Sequence, residues 1–208
     1  MFRKINEYFT YQGFKYIKPE KAGNQAREME AFKALGQAAR QEMQLLTKCL
    51  DERLTDFKIT RVSNWANQAQ VGRPHFWCYF MEEESSADDV GIAIRLYGQK
   101  DDFGLSVEVS FIERKKSETT LLKQAKVLTV PIAEPLYYMV QMDGESHREE
   151  GTETNRHRLK LELEEGKIRK VLLKYDIPLK VDTSLEELVP KILEGFEKVM
   201  PYYEVTKN

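Results

Sequence analysis

Between Phe103 and Phe111 the chain alternates without a break: Phe103, Leu105, Val107, Val109 and Phe111 are apolar, and Ser106, Glu108 and Ser110 between them are polar. A period of two sends successive side chains to opposite faces, so this is a strand with its apolar set inward and Glu108 outward. The same period predicts a strand over Val90 to Tyr97, with Val90, Ile92, Ile94 and Leu96 on one face, and a short one over Phe57 to Val62. His75 to Met81 is apolar on both faces, as in a central strand, and Pro74 precedes it where a missing N–H is tolerated. The acidic turn Glu82 to Asp89 and the turn Gln99 to Asp102 join these strands. Connections this short allow antiparallel neighbours only, which gives a meander.

Around that sheet the period is helical. From Gly23 to Leu54, Phe32, Leu35, Ala39, Met43, Leu46 and Cys49/Leu50 form one stripe, predicting a long amphipathic helix lying on the sheet. Ser117 to Val127 reads as a second helix, with Ser117 or Thr119 as its cap. Leu136 to Met142 is a strand closed by the turn pair Asp143-Gly144, and the charged segment Glu145 to Glu153 reads as a loop feeding a helix that ends near Gly166. Val171 to Tyr175 adds a further strand. Ser184-Leu185-Glu186-Glu187 is a capping box, opening a helix that Pro190 is expected to interrupt or kink. The first twenty residues, rich in Phe and Tyr and stopped by Pro19, read as an irregular or partly stranded arm.

Strands bunched between helices, without βαβ alternation, give an α+β class: a long N-terminal helix and C-terminal helices packed on a mainly antiparallel meander sheet. One domain over 1–208 is expected. It comprises an arm over 1–20, a helix over 23–54, the sheet region over 56–142, and C-terminal helices with one further strand over 150–200.

Composition narrows the function classes. The 208 residues are 41% hydrophobic, with 11 Gly, 7 Pro and no low-complexity run, as in an ordinary globular protein. A formal net charge of −2 removes any global argument for a polyanion partner and leaves local patches. Cys49 and Cys78, each among apolar residues, are too few for a disulfide framework. With no apolar leader and no bilayer-length apolar window, a cytoplasmic protein without a membrane partner is expected.

The sequence lacks G-x-G-x-x-G, a Walker A loop, G-x-S-x-G, H-E-x-x-H and C-x-x-C, so no cofactor is expected. His75, His147 and His157 have no second His or Cys at a ligand spacing, and no metal site is expected. The stretch from Arg61 to Phe80 stands apart. It holds two arginines, no carboxylate, four side-chain amides and both tryptophans of the chain. Amides read ligand edges in fixed geometry and aromatic faces stack on bases. This makes Arg61, Trp65, Asn67, Gln68, Gln70, Arg73 and His75, with Arg95, the candidate ligand-binding set, for a nucleic acid or a nucleotide. An enzymatic alternative uses Glu108 as metal ligand or general base, with Asp101, Asp102, Glu113 and Lys115 nearby, in the manner of metal-dependent nucleases and hydrolases. A structural or protein-interaction module without a pocket is the third reading.

The stretch 61–80, together with Ile94-Arg95-Leu96, the run Leu105 to Lys115 and the run Arg169 to Pro178, resembles a family of uncharacterised bacterial proteins of about this length. Members of that family sometimes carry a glucose-6-phosphate dehydrogenase label, although this chain has no dinucleotide fingerprint. In layout, residues 65 to 111 are similar to the N-terminal DNA-recognition domain of methylcytosine-dependent restriction systems. Gln68-Ala69-Gln70 stands here where that family has a glycine-rich approach to the proline.

Overall fold

The computed structural model describes residues 1–207. The elements in chain order are α1 (Arg3–Tyr8), α2 (Ala26–Asp51), β1 (Phe57–Ile59), β2 (Phe76–Glu82), β3 (Val90–Gln99), β4 (Asp102–Phe111), α3 (Glu118–Ala125), β5 (Tyr137–Met142), β6 (Glu145–Glu150), α4 (Glu153–Glu164), β7 (Lys170–Leu179) and α5 (Leu185–Glu204). The class is α+β, with all strands in one antiparallel sheet of order β1-β2-β3-β4-β7-β5-β6.

Register assigns each face. Phe76, Cys78 and Phe80 of β2 pair with Leu96, Ile94 and Ile92 of β3, and Leu105, Val107 and Val109 of β4 continue the same face to β7. The buried apolar side chains of α1, α2, α4 and α5 join this face in one core. The packing is specific in places: Phe80 and Phe196 meet edge to face at 4.9 Å. Gly195 lets α5 approach β4 and β7, because a Cβ there would lie 2.8 Å from both Val107 and Tyr175. Where β4 and β7 stop pairing, the Gln124 side chain of α3 substitutes for a strand, its Nε2 donating to the Val109 and Val171 carbonyls at 3.1 and 3.0 Å.

Several expectations need correction. The start of the chain is α1 followed by single turns of tighter helix, with Phe2, Ile5, Tyr8 and Phe9 buried, and its strand-like pairing among the described residues is the bridge Lys15 to Val71. The charged segment Glu145 to Glu150 is the edge strand β6, not a loop; Asp143 (φ 50°) and Gly144 (φ 86°) supply the two positive φ angles of a tight hairpin turn. An edge strand needs no apolar side chains, so its composition concealed it. Val171 to Tyr175 extends to all of β7, which lies inside the sheet between β4 and β5. Helix α5 runs unbroken through Pro190, where the carbonyl of Glu186 loses its helical donor on an exposed turn. Ser106, Glu108 and Ser110 do face away from the helices, yet all three are buried.

Candidate binding face

Opposite the helices the sheet carries a second, smaller apolar cluster of Tyr79, Met81 and Ala93, with Trp77 and Ile112 packed against it. No helix contributes to it. Two rungs of aligned residues cross this face. One runs Trp77, Arg95, Ser106, Asp176, and the next runs Tyr79, Ala93, Glu108, Lys174, Tyr137. Because Ala93 is small, the Arg95 side chain reaches diagonally over it to Glu108.

Glu108 is completely buried and fully engaged. Arg95 donates from Nε to Oε1 at 2.9 Å and from its terminal nitrogen to the same oxygen at 2.7 Å, and Lys174 Nζ holds Oε2 at 2.6 Å. Burial pushes the Glu108 carboxyl up, but the Arg95 and Lys174 charges more than offset this and hold it down at about 2. The trio therefore carries one net positive charge beneath the face.

Above it sits Trp77. The guanidinium carbon of Arg73 lies 4.7 Å from its ring centroid and that of Arg95 5.3 Å, within cation–π range. The His75 ring lies 5.2 Å away. Arg73 is held by its Nε donating to the Ala66 carbonyl at 3.3 Å and has no carboxylate partner among the described residues. Burial, and then the cation Arg95, lower the His75 pKa to about 4, so His75 is neutral at pH 7. Beyond the trio, Asp176 accepts from Tyr137 at 2.8 Å and from Arg148 at 2.6 Å, and the Arg148 guanidinium stacks 3.5 Å over the Tyr137 ring.

The structure divides the sequence-derived set. Arg73, His75 and Arg95 converge on Trp77. Trp65 does not join them: it is only 7% exposed, sits in the helix-side core, and meets Tyr16 and Phe32 edge to face at 5.2 Å each. Its ring lies against Gly36 of α2. Asn67 shapes its own loop, its Oδ1 accepting from the Val71 N–H at 3.0 Å. Gln68 and Gln70 are exposed on that loop, and Arg61 is exposed after β1 with Arg40 as its charged neighbour.

The acids around Glu108 do not gather either. Asp101 is tied to Asn6 at 2.8 Å, and Glu113 is bound by Arg169, by Lys170 at 2.9 Å and by Lys116 at 3.1 Å. No group of three His, Cys, Asp or Glu placed to hold a metal ion occurs among the described residues. Two contacts from Arg95 on Oε1, with Lys174 and the Ser106 hydroxyl (3.4 Å) on Oε2, occupy the Glu108 carboxylate and leave it no open side for a metal or a substrate proton.

Sequence reasoning placed Trp65, not Trp77, in the binding set, and it missed Lys174, Asp176, Tyr137 and Arg148 as members of this face. The alternation Lys174, Asp176 along β7 was the available signal. Comparison with protein-family models finds no match to the chain, and comparison with curated protein sequences finds none either.

Proposed function

We propose that the protein is a non-enzymatic binding domain that takes a phosphate-bearing, ring-bearing ligand, a nucleotide or a nucleic-acid strand, at Trp77 on the sheet face opposite the helices. The observation that carries this is the pair of guanidiniums around one tryptophan, of which Arg73 has no carboxylate among the described residues to neutralise it. Arginine with an aromatic ring is the combination that meets phosphate and base together. The Glu108 trio supports the reading as scaffolding, since it fixes Arg95 beside the ring and leaves the face cationic. The layout likeness of residues 65 to 111 to a DNA-recognition domain points the same way. Among the described residues no helix is long and apolar enough to cross a membrane, and both cysteines are free, which suits a reducing compartment; we place the protein in the cytoplasm.

Tryptophan emission tests this directly. In a Trp65→Phe background only Trp77 reports, and titration with nucleotides and short oligonucleotides at low salt is expected to give a saturable change that Arg73→Ala removes. The affinity is expected to fall with salt as phosphate contacts release counterions. A folded sample with no response at low salt would refute the site.

A further inference from the structure

We infer that the cluster around Glu113 is a second, separate binding site, for a phosphate monoester, and that the Glu113 carboxylate stands in it as an internal substitute. Three cations converge on that one carboxylate: Arg169 and Lys116 (3.1 Å) on Oε1, and Lys170 on Oε2 at 2.9 Å. Three donors therefore share two oxygens. A phosphate monoester offers three equivalent oxygens, one for each cation, and as a dianion it cancels two of the three positive charges where a carboxylate cancels one. The site is independent of the Trp77 reading. From β2 to β7 across the sheet, and then from the Asp176 rung down to Lys170, the separation from Trp77 is about 25 Å.

Two of the three cations are aimed by partners other than Glu113. The Arg169 backbone N–H donates to the Gln141 carbonyl at 2.9 Å, and its guanidinium donates to the Gln141 side-chain oxygen. Lys170 is paired with Gln141 in the β5–β7 ladder, and its ammonium lies 5.6 Å from the Phe111 ring centroid, within cation–π range. The fork and the ammonium thus keep their places whichever anion they hold. They are also reachable: 39% of the Arg169 side chain and 33% of Lys116 are exposed to solvent.

Glu113 is placed to give way. Its side chain is 48% exposed and belongs to the single helical turn Glu113–Lys115 after β4, whereas Glu108 between Arg95 and Lys174 is fully buried. Ion pairs open to water contribute little net free energy, so an anion of higher charge competes for the same cations; the buried trio, whose members have no solvent to turn to, does not exchange. Burial raises the Glu113 carboxyl, but hydrogen bonds from Arg169, Lys170 and Lys116 more than offset this and hold it at about 2, so at neutral pH the competitor is always the carboxylate.

The test titrates the intact protein with methyl phosphate at fixed ionic strength, followed by two-dimensional amide NMR, which also reports whether each variant is folded. The Glu113, Gln141 and Arg169 signals are expected to move saturably. Glu113→Gln, which removes the internal competitor, is expected to tighten methyl phosphate about fivefold, the worth of an exposed ion-pair contact. Arg169→Ala is expected to abolish binding in either background, and Lys116→Ala to weaken it severalfold, a second reading should Glu113→Gln fail to fold. Glu118→Gln removes an exposed acid outside the cluster and is expected to give no gain. No saturable shift in the unsubstituted protein or in Glu113→Gln would overturn the site. An affinity that Glu113→Gln leaves unchanged, or that Glu118→Gln raises equally, would overturn the role of Glu113 as substitute. Dimethyl phosphate, with one charge and two free oxygens, is expected to bind more weakly, and equal binding would overturn the choice of a monoester.

Discussion

Lys174 on β7 and Glu108 on β4 stand directly across from each other, and their side chains close to 2.6 Å on a sheet face to which no helix contributes apolar packing. With Arg95 on the other carboxylate oxygen, three charges share one buried place. Removing one member leaves the others uncompensated, whereas removing all three together does not. Glu108→Gln is therefore expected to destabilise the fold by about 3–5 kcal/mol, read as a shift in urea midpoint. The triple change of Glu108→Leu, Arg95→Met and Lys174→Met is expected to recover most of that loss, and a triple variant as unstable as the single one would contradict the account.

His75 sets a pH window above that of Glu108. Its pKa falls from 6.5 in the unfolded chain to about 4 in the fold, first through burial and then through Arg95. The neutral form is the native one, so its contribution is complete above pH 6.5 and is lost as pH falls toward about 4. Glu108, lowered from 4.5 to about 2, acts in the same direction in the lower window. His75→Gln should thus flatten stability between the two His75 values and leave the fall below pH 4.5 in place. Urea unfolding of both proteins across this range checks it, and parallel curves would count against a half-buried, neutral histidine.

Gly36 gives a test of the helix-side core. In an open helix, Gly to Ala gains about 1 kcal/mol. Here the added Cβ would lie 2.7 Å from Trp65 Cδ2, and that ring is fixed between Tyr16 and Phe32. Overpacking of this kind costs about 1–3 kcal/mol, so Gly36→Ala should come out net destabilising, by roughly 1 kcal/mol. Combining it with Trp65→Phe should return the sign to stabilising.

The α5 capping box is a local and independent device. Ser184 Oγ accepts from the Glu187 N–H at 3.2 Å, and the Glu187 carboxylate accepts from the Ser184 N–H at 3.2 Å. Ser184→Ala is expected to lower stability by about 1 kcal/mol, and to add simply to the effect of Glu108→Gln, because the two sites share no partner.

Much of this was legible from spacing. The alternation in β4, the α2 stripe and the α5 capping box each fix their element with local information, and each is found where the residues place it. What spacing could not convey is what lies over a face. Glu108 has the position of a solvated residue and the burial of a core one, because Arg95 from β3 and Lys174 from β7 close over it. The two tryptophans were likewise indistinguishable by composition: Trp65 is drawn to the helices by Gly36, whereas Trp77 takes the opposite face by strand parity. β6 was concealed for the reverse reason, being an edge whose side chains bury nothing.

The place of β7 also dictates an order of assembly. β2, β3 and β4 pair through short turns and can zip up as soon as they are made, β1 is already on hand across the loop 60–75, and the β5–β6 hairpin can form by itself. The two halves share no ladder until β7 arrives, because everything from Ile112 to Arg169 must first be traversed before β4 meets its neighbour. Closing so long a loop is the slow event for a sheet of this kind. Before β7 docks, Arg95 is the one cation of the trio that β3 and β4 can bring to Glu108. The last inner strand to leave the ribosome is the one that seals the charge and sets the Trp77 face in its final form.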